Sequence, residues 1–255
     1  MISKNQIQFI KSLTISKFRK THKMFIVEGP KLINELVNSS FRIEGIYALP
    51  EWISSNGIRF SNRTNIFEIS EKELDRISAL KAPNQVLAVV NMTEDFKPES
   101  EHLNDLVLML DDIKDPGNMG TILRTADWFG IKQIICSNSC VDIYNFKVVQ
   151  ATMGSLFRVK VFYTDLKEYL EQLPKDQLIY GTLLEGKNIY KANLTKHGII
   201  IIGNESRGIS SELIPFVTNK LTIPSYSIKS MNKAESLNAS IATAIVCAEF
   251  RRLYK

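Results

Sequence analysis

Apolar residues along this chain fall in short blocks separated by amphipathic stretches. Up to residue 93 the pattern predicts a helix over 3–13, strand MFIVEG, a helix over 30–38, strands IEGIYAL and NIFEIS, a helix over 71–79 and strand VLAVVNM. This mixture of helices and strands predicts a small α/β sandwich. The stretch TEDFKPESEHLND, 93–105, is polar, acidic and interrupted by proline, and it reads as a linker. The expected organisation is a domain at 1–93, a linker at 94–105 and a second domain at 106–255.

After the linker the alternation is cleaner. Strand LVLMLD precedes a helix over 118–129, with Gly130 placed to stop it. Strand KQIICS, a helix near 145–153, strand RVKVFY, a helix over 165–172 and strand LIYGTLL follow. Strand GIIIIG, a short helix over 210–217, strand KLTIP and a long helix from about 236 complete the chain. Runs such as IIII are apolar on both faces, which suits central parallel strands covered by helices on both sides. In the last helix Leu237, Ile241, Ala244, Ile245 and Ala248 share one face, spaced for packing on the sheet.

In open parallel sheets, ligand groups collect beyond the carboxyl ends of the strands. Three loops with unusual polar content leave such ends: DDIKDPGNMG, NESRGIS and SYSIKSMNKAESLN. In the first, Asn118 is a candidate helix cap. Gly120, Arg124 and Asp127 share the stripe opposite Met119, Ile122, Leu123 and Ala126, and Gly120 leaves room for a close neighbour. An arginine near a helix N-terminus gains nothing from the helix dipole. The two together make a site for an anion or a developing negative charge. Pairing of Arg124 with Asp115 or Asp127 is the alternative. In the second loop, Glu205 stands ready to cap Gly208 and nearby N–H groups, or to orient Arg124 or a ligand amine. In the third, Ser236 reads as a helix cap. Asn238, in a first turn where its propensity is poor, reads as a hydrogen-bonding residue.

Composition adds a modest constraint. The net charge is +5 and the pI about 9.0, which permits a polyanionic partner. The charge is uneven: residues 1–23 carry Lys4, Lys11, Lys17, Arg19, Lys20 and Lys23 and no Asp or Glu. That segment reads either as a solvated arm or as a phosphate-contacting one. Cys136, Cys140 and Cys247 form no metal-ligand or disulfide pattern, so the expectation is a cytoplasmic protein without a metal. No segment is apolar enough to read as a membrane span. A dinucleotide fingerprint is missing, which disfavours a nicotinamide dehydrogenase.

The three loops together resemble the SpoU family of RNA 2′-O-ribose methyltransferases, of the trefoil-knotted SPOUT class. An N-x-G-x-x-x-R motif matches Asn118, Gly120 and Arg124; G-x-E with a later glycine matches Gly203, Glu205 and Gly208. Ile-Pro followed by S-L-N matches Ile223, Pro224, Ser236, Leu237 and Asn238. Where the family often has Met after Ile-Pro, this chain has Ser225 and a long connection, SYSIKSMNKAE. The N-terminal region, with KMFIVEGPKLINEL and ISALKAPNQVLAVV, is similar to the family's L30e-like substrate domain.

The resemblance implies a parallel-sheet α/β domain with a deep trefoil knot, preceded by a smaller L30e-like domain. It implies S-adenosyl-L-methionine held by Thr182, Leu183, Gly203, Ile223 and Leu237. It implies a homodimer with the active site near the interface, and RNA as substrate, ribosomal RNA favoured over transfer RNA. Arg124, Asn118, Glu205 and Asn238 are the implied catalytic set, with Lys17, Arg19, Lys20 and Lys23 on RNA. Methylation of a base nitrogen, and RNA binding without catalysis, are the competing readings.

Overall fold

A computed structural model describes residues 2–60, 64–93, 105–226 and 236–252, and these divide into two compact units. The first comprises residues 1–94 and 142–158, the second 95–141 and 159–255.

The first unit opens with α1 (Lys4–Ser12) and α2 (Ser16–His22), followed by β1 (Met24–Glu28), α3 (Pro30–Val37) and β2 (Ile43–Ala48). Then come α4 (Pro50–Phe60), β3 (Ile66–Glu68), α5 (Glu71–Ile77) and β4 (Val86–Asn91). The sheet runs β1-β4-β2-β3, with β4 antiparallel to both its neighbours and β3 parallel to β2. Ser3 with Gln6 and Ser70 with Glu73 form reciprocal capping boxes that start α1 and α5. Ile7, Ile10 and Leu13 from the first helix and its C-cap meet Leu74 and Ile77 of α5 over Leu87 and Val89. The sequence pattern missed α2 and α4. Both are short or mixed in polarity, and tertiary packing rather than periodicity selects them.

The second unit contains β5 (Leu106–Leu110), α6 (Pro116–Trp128) and β6 (Gln133–Ser137). The chain then leaves it for α7 (Phe146–Thr152) and a 3-10 turn at Ser155–Phe157, both within the first unit. Residues 142–158, expected in the second domain, group with the first because their side chains finish its core. The Tyr144 ring lies 4.6 Å from that of Phe25, and Phe157 lies 5.4 Å from Phe41. The Gln150 amide donates to the Glu28 carbonyl at 3.0 Å.

β7 (Lys160–Thr164), α8 (Leu166–Glu171), β8 (Ile179–Asn188), β9 (Gly198–Ile202), β10 (Asn219–Thr222) and α9 (Ala239–Arg252) complete the second unit. Its six strands are all parallel, in the order β10-β8-β9-β5-β6-β7. Every residue of β5 and β9 is buried, as the two-sided apolar runs require. The helix expected at 210–217 is only a 3-10 turn, Ile214–Phe216.

Two features position a site. The chain turns back at β5, going one way through β6 and β7 and the other way through β9, so the crevice above β5 and β9 is a topological switch point. In addition, β8 breaks register with β10. Gly181 faces Lys220, yet the next pair is Lys187 with Leu221, so residues 182–186 bow out of the ladder.

The linker residues 94–104 and residues 227–235 of the third loop lie outside the described residues. Among the described residues no helix is long and apolar enough to cross a membrane.

Candidate active site

The loop after β5 begins with two acidic residues that turn inward. The Asp111 carboxylate accepts from the Ser210 N–H at 2.7 Å. Asp112 adopts a left-handed backbone, φ +58°, rare for a residue with a side chain. Ser137 Oγ accepts from its N–H at 3.0 Å, and the Asn204 amide donates to its carbonyl at 2.9 Å. Its carboxylate pairs with Arg207 and, at 3.4 Å, with Lys114. The loop after β5 and the loop after β9 are thus tied together at the switch point.

Helix α6 starts one signal earlier than expected. Asp115 is the N-cap, accepting from the Asn118 N–H at 2.8 Å, and Pro116 occupies the first turn. Asn118, expected to cap, therefore has its side chain free for other work. Its Nδ2 donates to Glu205 Oε1, and its Oδ1 accepts from Asn238 Nδ2 at 2.9 Å. Asn238 is itself the cap of α9, because its Oδ1 accepts from the Ser240 N–H at 2.9 Å and the Ile241 N–H at 3.3 Å. Ser236, expected in that capping role, instead donates to the Glu205 carbonyl at 3.2 Å. One amide thus joins three segments that are distant in sequence.

The Glu205 loop is tight. Asn204 and Gly208 exchange backbone hydrogen bonds of 3.0 and 2.8 Å, and Gly208 has φ +69°. A Cβ on Gly203 would stand 2.3 Å from the Gly208 carbonyl carbon, so only glycine fits. Asn204, not Glu205, satisfies the turn, accepting from the N–H groups of Ser206 and Arg207 at 3.0 and 3.2 Å. The Glu205 carboxylate is left to Asn118.

Beside this network lies a cavity of about 710 Å³. Thr182, Leu183, Gly203, Ile223 and Leu237, the five residues expected to hold a cofactor, all line it, as does Glu205. The β8 bulge makes one wall, with Thr182 Oγ1 anchored on the Ile201 carbonyl at 2.9 Å.

Arg124 stands apart. Six residues beyond Asn118, it lies about 9 Å farther along the helix axis. It is exposed and does not line the cavity. The stripe expected to run through Gly120, Arg124 and Asp127 is split: Gly120 is buried with Met119, Ile122, Leu123 and Ala126, while Arg124 shares an exposed stripe with Thr121 and Trp128. Trp128 is 85% exposed. The expected packing face of α9 is also rotated. Ala239, Ser240, Thr243, Val246, Cys247 and Phe250 are buried, while Leu237 and Ile241 are 46% and 52% exposed. The inward face mixes small Ala, Ser and Thr with Val246, Cys247 and Phe250, and α9 packs against α6.

In the first unit, Lys17, Lys20 and Lys23 are exposed, but Arg19 is not. Only 1% exposed, it donates to the Leu13 and Thr14 carbonyls at 3.1 and 2.8 Å and to Asp142 Oδ2 at 2.7 Å. Arg19 is a structural cation and is withdrawn from the phosphate-contacting set. All three cysteines are buried and free, and burial pushes the Cys247 thiol up to about 12. Among the described residues no group of three or more His, Cys, Asp or Glu is placed to hold a metal ion.

Sequence reasoning missed Asp112 and Asn204, and offered Asp115 only as a partner for Arg124, not as the helix cap. Asp115-Pro116 was a readable helix start, and Asn204 in N-E-S-R-G was a readable turn residue. The left-handed Asp112 left no sequence signal.

The SpoU rRNA Methylase family model matches residues 105–248. An MRM3-like substrate binding domain model matches residues 4–88. The chain is 28% identical to the 23S rRNA (guanosine(2553)-2′-O)-methyltransferase RlmP of Bacillus subtilis, over 98% of this chain and 97% of that protein. In structure it is similar to a putative RNA methyltransferase of the TrmH family from Porphyromonas gingivalis, with 37% identity, TM-score 0.88 and 99% of each chain covered. It is also similar to an AdoMet-bound rRNA methyltransferase from Sinorhizobium meliloti, with 26% identity, TM-score 0.86 and 99% and 96% of the two chains covered. With the cavity, the three-segment amide network and a family model spanning more than half its length, this chain belongs to the SpoU rRNA methylase family.

Proposed function

We propose that this chain transfers a methyl group from S-adenosylmethionine to a ribose 2′-hydroxyl of ribosomal RNA. The observation that carries the reading is Asn118, which bonds Glu205 and Asn238 together at the edge of the cavity. The relatives' activities on ribosomal RNA support the substrate class.

The cavity suits the cofactor. Its volume is that of a small-molecule site. Leu183, Ile223 and Leu237 offer apolar walls for a purine and ribose, and Glu205 offers a carboxylate for a cationic ligand. When bound, S-adenosylmethionine supplies an electrophilic methyl carbon on a sulfonium. The trefoil thread implied by the family resemblance belongs to this reading.

The remaining difficulty is the nucleophile, since a ribose hydroxyl is a very weak acid. Arg124 supplies a permanent cation and does not act as a base, because a guanidinium stays protonated. Its role is to hold the neighbouring phosphate and stabilise the oxyanion forming at the 2′-oxygen, whose proton passes to solvent water while the methyl carbon–sulfur bond breaks and S-adenosylhomocysteine leaves. Asn118, Glu205 and Asn238 fix α6 and the two loops so that sugar and methyl donor meet in line.

Arg124 does not line the cavity of its own copy. We infer that a second copy completes the site. Trp128, 85% exposed and one turn beyond Arg124 on α6, is the apolar residue offered to that contact. Lys17, Lys20 and Lys23 of the first unit would contact RNA phosphates.

The deciding experiment maps 2′-O-methyl groups in ribosomal RNA from cells with and without this gene. One ribose methyl should vanish and return on complementation. Loss of a base methyl, or no loss, would overturn the reading.

A further inference from the structure

The turn between α1 and α2 is held from inside. Buried Arg19 binds the carbonyls of Leu13 and Thr14 and the carboxylate of Asp142, all within the first unit. The Ile15 carbonyl accepts from the N–H groups of Phe18 and Arg19 at 3.1 and 3.2 Å. Four side-chain hydrogen bonds from one buried cation leave this turn little freedom.

Yet two large apolar residues beside the anchor face solvent: Ile15 is 54% exposed and Phe18 39%. Ile15 is the extended N-cap of α2 and Phe18 lies in its first turn. Lys17 and Lys20 neighbour Phe18 in sequence on α2 and are exposed, as is Lys11 on α1. From residue 1 to residue 27 the chain has no Asp or Glu. An apolar tip alone would suit a protein partner. Set in a basic segment with no acidic residue of its own, and with Asp142 already taken by Arg19, it suits a polyanion with flat apolar faces, which is single-stranded RNA.

We infer that Phe18 is a stacking platform for an unpaired base of the RNA substrate. Ile15 packs at the edge of that base, Lys17 and Lys20 hold the flanking phosphates, and Arg19 is the positioning residue that keeps the platform rigid. This inference rests on the RNA-methyltransferase reading and adds a contact remote from the methyl-transfer residues.

The test uses the full chain and a 23S ribosomal RNA transcript made in vitro, with filter binding across a salt series and steady-state methylation. Phe18→Ala should weaken RNA binding about tenfold, the range of one lost base–aromatic stack. It should raise KM for the transcript by a similar factor and leave kcat and S-adenosylmethionine affinity unchanged. Phe18→Trp should restore binding. The salt slope of Phe18→Ala should equal that of the unsubstituted chain, whereas Lys17→Ala and Lys20→Ala should each lower it by about 0.7. Wild-type binding by Phe18→Ala, or a changed oligomeric state on sedimentation, overturns the platform. If the unsubstituted chain methylates the transcript and Phe18→Ala matches it, the platform alone fails. If the unsubstituted chain neither binds nor methylates RNA, the functional reading fails with it.

Discussion

Arg19 in the first unit and Arg124 in the second carry the same guanidinium in opposite settings. Arg19 is buried and makes four hydrogen bonds, two to backbone carbonyls and two to Asp142. Arg124 is exposed on α6, and no ion pair to Asp115 or Asp127 is found among those of the described residues. A buried arginine with every partner in place serves the fold. An exposed one, six residues along α6 from the amide network, is open to solvent. The difference is one of burial and partners, which residue type does not reveal.

The largest effect should fall on stability in the first unit. Arg19→Met leaves Asp142 and two carbonyls without their donor and should cost about 3 kcal/mol, read as a lower urea midpoint at unchanged slope. Adding Asp142→Leu should recover part of that loss; no recovery would mean that the ion pair is not the anchor. Arg124→Ala should do the reverse. It should lose about 100- to 1,000-fold in single-turnover methylation, with urea midpoint and S-adenosylmethionine affinity unchanged. Wild-type turnover in this variant would remove Arg124 from the mechanism.

A smaller effect separates the two duties of Asn238. Asn238→Ala removes the α9 cap, worth about 1 kcal/mol, together with the donor to Asn118. Asn238→Asp keeps the capping oxygen but sets a carboxylate oxygen against Asn118 Oδ1, so it should retain the cap's stability while turnover falls. Equal stability losses in both variants would show that the amide donor, not the cap, matters to the fold.

The smallest effect concerns Glu28, a second buried ionisable group in the first unit. Burial pushes its carboxyl above the usual 4.5, against hydrogen bonds from Ser78 and the Ala79 N–H that pull it down. The folded state therefore keeps this proton to higher pH than the unfolded chain. Its contribution to stability is complete below pH 4.5 and declines as pH rises through the folded value. Glu28→Gln should flatten that decline in urea titrations from pH 4 to 8. An unchanged slope would put the titration elsewhere.

Much of this architecture was legible in the chain. The runs LVLML and GIIII carried their two-sided burial openly, and the loops after them carried Asn118, Glu205 and the cavity glycine Gly203. What stayed hidden depends on partners far along the chain. Tyr144 and Phe157 read as parts of the second domain until their rings are seen against Phe25 and Phe41. The stripe of Leu237 and Ile241 had the right spacing for a core, but the face of α9 that is buried is the one carrying Thr243, Val246, Cys247 and Phe250. Periodicity shows that a helix has a face; it does not say which neighbour that face meets. Roles of caps were likewise shifted, because α6 starts earlier and α9 later than expected: Asp115 accepts from the Asn118 N–H, and Asn238 from the Ser240 N–H.

The amide of Asn118 has a thermodynamic corollary. It grips Glu205, which lines the cavity, and Asn238, which starts α9, from a helix that also carries Arg124. Occupying the cavity should therefore change how readily a sugar is accepted near α6, and the reverse influence must be of equal size. Two titrations, each ligand with and without the other, should return one number, and Asn118→Ala should drive that number toward unity.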